Sequence, residues 1–486
     1  MGIRSREDVK AALRRRLGID VRALAALRVS LALLILVDLA MRGRDIVAFY
    51  TDAGVLPRET QTEIFAPAAL SLHTLSGSVT VQVFLFVFAA VFALALLVGY
   101  RTKTVLAVSL VLLLSLHGRN HFVLNAGDRL LRTTLFLCLF LPLGRRWSVD
   151  AYRDAENGNM RDETVFTLAT AVFLLHVVLV YTSNFLFKLH ADGLWLTGDA
   201  VSHVMGMGRY TVLLGDYVAD YTALLVAANW LWLALLGGSV VLVLAKGRLR
   251  IAAAAAYATA HIGMFLTMSL GPFPLVSVAV LLPFLPSGVW DTLERRLPTP
   301  PRSVHEHLKD TVREGSAGTP LPERPKRLVA TVAVFFLIFT AFWQAVALGY
   351  APAPDVVDSD ADVQPSEYFS WSMFIVDSPP DDRWFVASAT FESGEVHNMP
   401  IFAEVEGTDR PPDVSDTYPT TLWHRYMTNL RFEEETEKRA FAEYLCGRAT
   451  GKYDEVDGVT VDYVEQTTRT DGYAEAERVE MLRKNC

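Results

Sequence analysis

The sequence predicts an all-α polytopic membrane bundle of about nine transmembrane segments, with a small C-terminal α+β domain on its extracytoplasmic side. Three observations lead there. Apolar runs of spanning length recur between Ala23 and Leu348, basic residues gather in alternate loops, and the chain beyond Leu348 turns acidic and alternates as strands do. Composition agrees, with 52% hydrophobic and 20% charged residues.

Residues 1–21 carry Arg4, Arg6, Lys10 and Arg14, Arg15 and Arg16, and read as a short amphipathic cytoplasmic helix. Spans are expected near Ala23–Met41, Val79–Gly99, Thr104–Leu116, Leu130–Leu143, Val165–Leu186, Ala223–Ala245, Ile251–Leu270 and Leu328–Leu348. Pro272–Pro286 is short and proline-flanked, which fits a short or re-entrant helix. The first run is read as an anchor, because no small-residue cleavage signal follows it. The membrane domain is thus expected over residues 22–349. Within it, the proline- and charge-rich residues 297–327 form a cytoplasmic linker before the last span.

Loop charges set the orientation. With the N-terminus inside, the inner segments hold Arg101, Lys103, Arg145, Arg146, Lys246, Arg248, Arg250, Arg295, Arg296, Lys326 and Arg327. The opposite loops hold far fewer basic residues, so the N-terminus is expected in the cytoplasm and, with an odd span count, the tail outside. That tail, residues 350–486, contains acidic runs such as 355–362, within a chain of net charge −8. An acidic exterior suits a high-salt habitat and excludes nucleic acid as a natural partner. In the tail, Trp384–Thr390 and Val459–Val464 are expected strands and Phe432–Cys446 a helix. Cys138 reads as a small core residue. Cys446 and Cys486 both fall outside, where a disulfide is permitted, though spacing alone leaves the pairing open.

Chemistry is expected along His117–Asp150. This stretch opens with His117, Arg119, Asn120, His121, Asn125, Asp128 and Arg129 and then turns apolar. If helical, His117, His121, Asn125 and Asp128 share one face. Ionisable groups at a membrane boundary are costly and usually face a bundle interior or a wet cavity. Further along, Lys188 stands at the outer end of a span with Trp195 nearby. On residue chemistry alone that pattern favours a snorkelling anchor, with a buried general base as the sharper alternative. His261 and His176 lie inside apolar runs, where a satisfied core histidine is the plainer reading. The loop Tyr50-Thr-Asp-Ala-Gly-Val-Leu-Pro57 reads, by itself, as an ordinary outer loop with turn chemistry.

Several motifs together resemble the HTTM group, the bacterial and archaeal relatives of vitamin K-dependent γ-carboxylase. They are Tyr50–Pro57, Asn125-Ala-Gly-Asp128, Phe140-Leu-Pro-Leu-Gly144 with Trp147-Ser-Val-Asp150, and an outer Trp371-Ser-Met-Phe374. Asn120-His121, Lys188-Leu-His-Ala-Asp192 with Trp195 and Gly198, and His261 with Leu270-Gly-Pro-Phe273 resemble elements of the carboxylase itself. Two features depart from it: Phe187 stands where the carboxylase pairs a second lysine, and the spacing from Lys188 to Trp195 is longer.

The resemblance implies an enzyme that oxygenates a reduced quinone of the menaquinone or vitamin K type and uses the resulting strong base to carboxylate a substrate. O2 and CO2 would be co-substrates, and no metal is expected. Lys188 would deprotonate the hydroquinone, while His121 and His261 would contact the reacting groups. Asn120, Asn125 and Asp128 would hold the cofactor. The partners it implies are the lipid bilayer and a secreted or membrane-surface peptide or protein. The competing readings are a non-catalytic binding or structural protein with the same fold and, ranked lower, a metal site at His117, His121 and Asp128. A transporter ranks lowest, because no internal repeat is evident.

Overall fold

The computed structural model describes residues 6–156, 163–191, 193–296, 323–354, 370–373, 381–399, 402, 408–469 and 472–486. Asp192, Phe374, the linker core 297–322 and the acidic run 355–362 lie outside the described residues.

Among the described residues, six helices are long and apolar enough to cross a membrane: Val21–Arg44, Val79–Val98, Thr102–Arg119, Leu168–His190, Gly247–Thr267 and Ala330–Ala347. A seventh is reached only by counting Phe273–Phe284 with Ser287–Arg296, a pair bent by 106°. The expected count of nine was higher for identifiable reasons. The Leu130–Leu143 run forms the helix Ala126–Cys138, 13 residues long. At 1.5 Å per residue that is roughly 20 Å, short of the ~30 Å hydrocarbon core. Ala223–Ala245 divides into Thr222–Gly237 and Val241–Leu244 around Gly238 and Ser239. The first piece packs largely on protein, whereas the second still exposes Leu224, Trp230, Leu231 and Leu244.

Val21–Arg44 is the spine, packed against Val79–Val98 and Phe273–Leu281. Leu168–His190 is 72% buried over its apolar window, whereas Val79–Val98, Gly247–Thr267 and Ala330–Ala347 are at 22–28% and form the periphery. Phe84, Val87, Val91 and Leu94 on Val79–Val98 are exposed, as a lipid-facing stripe requires.

A fully buried arginine in the spine has a structural use. Arg28 donates to Leu96 O at 2.9 Å, Leu97 O at 2.8 Å and Trp147 O at 2.5 Å. It thereby ties the end of Val79–Val98, at the carbonyls of Leu96 and Leu97 beside the left-handed Gly99 at φ 69°, to the Trp147 carbonyl.

Among the described residues of the tail, five strands form an antiparallel sheet. Val396–Asn398, Asp381–Phe391, Val456–Arg469 and Gly472–Tyr473 lie in that order, and Glu477–Asn485 also pairs with Val456–Arg469. The two strands expected from alternation pair with each other, Trp384 opposite Val464 and Phe385 opposite Tyr463. Alternation sorts their side chains: Phe385, Ala387 and Ala389 join the main core, while Trp384 and Val386 pack with Val414 and Val464. The expected helix appears as Glu435–Thr450, and Cys446 is disulfide-bonded to Cys486.

The Tyr50–Pro57 loop is no ordinary surface loop. Tyr50, Thr51, Val55 and Leu56 are at most 1% exposed. Arg119 donates to Leu56 O at 2.9 Å and Thr51 O at 3.1 Å, and Tyr426 of the tail donates to Val55 O at 3.3 Å. The loop is the seat on which helix Thr421–Leu430 docks, through Trp423 and Tyr426 against Phe49 at 4.9 and 5.6 Å.

Candidate functional site

Lys188 lies in the last turn of Leu168–His190 and is 1% exposed, so it does not snorkel. Its Nζ donates to Met373 O at 2.7 Å and sits 4.1 Å from the Trp195 ring centroid. One turn earlier on the same face, Asn184 donates to Met373 O and Trp371 O, both at 3.0 Å. The segment Ser370–Met373 is therefore not simply outer. Trp371 is buried, its N–H donates to Gln344 Oε1 at 2.9 Å, and Arg129 donates to Ser370 O.

His261 stands on Gly247–Thr267, 1% exposed, with Nε2 2.9 Å from the Tyr181 hydroxyl. Tyr257, Trp232 and Phe273 surround the pair, and Nδ1 of His261 has no hydrogen-bond partner among the described residues. A gap of about 20 Å³ is lined by His261, Tyr181, Asn184, Trp232 and Met373. That is room for about one water. Lys188 and His261 thus flank one region, joined through Asn184 and Met373.

His121 is placed elsewhere. The helix Thr102–Arg119 ends before it, and the next begins at Ala126, so the shared helical face expected for His117, His121, Asn125 and Asp128 does not form. Asn120 is extended, with its amide donating to Phe49 O at 3.2 Å and its oxygen accepting from Phe122 N. Asn125 instead caps the following helix, in a reciprocal capping box with Asp128. Its amide also donates to Leu270 O at 3.2 Å. His121 stacks on Phe65 at 4.8 Å and meets Gln61 through Nδ1 at 3.2 Å. Burial there lowers its pKa to about 4, so its imidazole is neutral at neutral pH.

Asp128 joins a buried ionic cluster. Arg42 holds Asp38 through Nε at 2.8 Å and Asp128 through Nη2 at 2.5 Å, and Arg425 reaches Asp128 at 3.3 Å. His117 Nε2 lies 3.6 Å from Asp128. The metal set considered above is not assembled, because His121 has left it. Asp38, His117 and Asp128 do bring ligand atoms within 4.8 Å of one another. Two guanidiniums already balance those two carboxylates, which makes a cation there unfavourable.

Sequence reading passed over Asn184, Tyr181, Asp38, Arg42 and Arg425. A signal was present for two of them: Asp38 and Arg42 are opposite charges at i, i+4 inside an apolar span. Arg425 and the entry of Ser370–Met373 into the bundle had none.

No curated protein and no solved structure matches the chain. The family model of the HTTM domain matches residues 18–289, more than half of the chain. It covers the spine, the Tyr50–Pro57 seat, the capping box and both Lys188 and His261. The chain belongs to the HTTM family, whose domain is that of vitamin K-dependent γ-carboxylase and its relatives.

Proposed function

We propose that this HTTM-family membrane protein is a carboxylase-like enzyme acting with a reduced quinone on a peptide or other substrate presented at the outer face. The observation that carries the reading is Lys188: an amine sunk into the bundle on a backbone carbonyl and an indole, next to the His261–Tyr181 pair. A bound hydroquinone, with oxygen, supplies a base strong enough to take a carbon-bound proton that no side chain removes, and CO2 supplies the carboxyl group.

The donor set suits such a group. Lys188 in its uncharged form accepts a hydroxyl proton at Nζ, and Trp195 shields that nitrogen from water. Tyr181 fixes the His261 ring through Nε2, leaving Nδ1 to meet a polar atom of the ligand. Val177, Val180, Leu236 and Val280 give the region apolar walls. A ring enters the narrow gap only as Met373 and Trp232 turn aside.

The outer placement of the tail belongs to this reading. Basic inner loops support it, and so does the Cys446–Cys486 bridge, a bond that oxidising compartments preserve.

The test is to supply reduced menaquinone and oxygen to the purified protein in lipid nanodiscs and assay epoxide. Epoxide is expected, with Lys188→Met lowering its formation by roughly 100-fold or more. Wild type that forms none overturns the reading. The close packing around His261 favours the second reading, a non-catalytic binding or structural protein. In that case menaquinol leaves the thermal stability of wild type and Lys188→Ala equally unchanged.

A further inference from the structure

Basic side chains gather where Val79–Val98 turns into Thr102–Arg119. The first of these helices starts beside the Tyr50–Pro57 seat, where Asp52 N donates to Gly77 O at 3.1 Å, so its far end lies at the membrane face away from the tail. Arg101 takes the left-handed conformation there, at φ 44°. Asp150, which closes the Trp147-Ser-Val-Asp150 motif, accepts from Arg101 N at 2.9 Å and from Thr102 N and Oγ1, both at 2.7 Å. Its charge also faces the buried Arg28. Asp150 is thus committed to the start of one helix and to the spine.

The side chains around this turn keep their charge. The guanidiniums of Arg101 and Arg153 stand 5.8 and 5.0 Å from the centroid of one ring, that of Tyr100. Lys103, exposed on the first turn of Thr102–Arg119, has Arg145 as a charged neighbour. Among the described residues, Arg101, Lys103 and Arg153 form no ion pair, and Arg153 Nε is buried without a hydrogen-bond partner. Like charges held together in this way favour an anion among them. Apolar surface adjoins them. Val91, Leu94 and Val98 are exposed along one face of Val79–Val98 up to the turn, and Val111 and Leu114 are exposed on the face of Thr102–Arg119 that carries Lys103.

We propose that this turn is a binding site for the headgroup of an anionic phospholipid. The phosphodiester meets Arg101, Lys103 and Arg153, guanidiniums being suited to phosphate by their fork of donors. Tyr100 keeps the two arginines at headgroup level, and the acyl chains lie along the two apolar stripes. A free phosphate uses the cations alone, whereas a lipid uses the cations and the stripes together. Anionic lipid in the leaflet next to basic segments adds the field that draws such a headgroup in. The inference needs the membrane and requires neither Lys188 nor quinone chemistry.

The test is native mass spectrometry of the full chain in detergent micelles, titrated with phosphatidylglycerol or phosphatidylcholine. Phosphatidylglycerol is expected to bind roughly tenfold or more tighter, and Arg101→Gln, Lys103→Gln and Arg153→Gln are each expected to weaken it about fivefold. The three combined are expected to remove the preference. Lys246→Gln, Arg248→Gln and Arg295→Gln together take away as many basic residues elsewhere and are expected to leave it in place. If the two lipids bind alike, or the second triple variant loses as much as the first, the proposal is wrong. Displacement of phosphatidylglycerol by an equal concentration of inorganic phosphate would show a free-anion site and also overturn it. Should the first triple variant fail to fold, the single variants decide the matter.

Discussion

Arg425 of the tail donates to Asp128 of the bundle across 3.3 Å, 297 positions apart in the chain. With Arg42 and Asp38 they make a buried set of two cations and two anions, and the set couples the docking of the tail to the integrity of the spine. Arg425→Met leaves two carboxylates facing one guanidinium. A loss of roughly 3–5 kcal/mol is expected, the cost of a broken buried pair. Asp128→Asn added to Arg425→Met is expected to recover part of it. Thermal unfolding in detergent checks both, and a single variant as stable as wild type would show the cluster to be idle.

Gly127 explains the small residue inside Asn125-Ala-Gly-Asp128. A Cβ there would lie 2.8 Å from both Cα and Cβ of Phe273, too close for either helix to absorb without shifting. Gly127→Ala is expected to cost about 1–3 kcal/mol by overpacking. Gly263, where a Cβ meets nothing within 4 Å, provides the control: Gly263→Ala is expected to be neutral or slightly stabilising. Melting temperatures of the two variants compare them directly.

Tyr181 touches His261 and is absent from every sequence motif above. On the proposed reading it is a positioning residue. Tyr181→Phe keeps the ring packing against Tyr257 and frees His261 Nε2. Epoxide formation is expected to fall about tenfold, roughly 1.4 kcal/mol of barrier, at unchanged quinol KM. A rise in KM with kcat preserved would point to binding instead.

Acid is expected to loosen the seam between the bundle and the tail. His424 is lowered from its ordinary 6.5 to about 3 by burial and by Arg209, Arg425 and Arg383, with Tyr210 and Tyr418 packed on its ring. His73 and His121 are lowered to about 4, chiefly by burial. Between these values and 6.5 the unfolded chain holds protons that the folded chain refuses. Their stabilising contribution is therefore intact above about pH 6.5 and is lost as pH falls toward about 3–4, at up to ~1.4 kcal/mol per pH unit for each histidine. Unfolding midpoints from pH 7 to pH 4 measure this, and His424→Phe is expected to flatten the slope.

Local pattern determined much of this protein. The apolar runs, the strands around Trp384 and Val459 and the helix near Cys446 each rest on periodicity within a short window. The motifs quoted above identified the HTTM family, which the match over residues 18–289 shows. The break at Asn120 was locally readable as well, because Asn125 and Asp128 have capping-box spacing. It was masked by the competing reading of one continuous helical face.

Tertiary structure alone decided the rest. An apolar run has the same composition whether it meets lipid or protein, so Leu130–Leu143 and Ala223–Ala245 could not declare themselves short or broken. Lys188 at a span end is equally suited to water or burial. What buries it is the carbonyl of Met373, 185 positions later, together with Trp195. Hydrogen bonds and ion pairs between distant segments leave no periodic trace in either one, and the geometry around Lys188, His261 and Asp128 is built from such contacts.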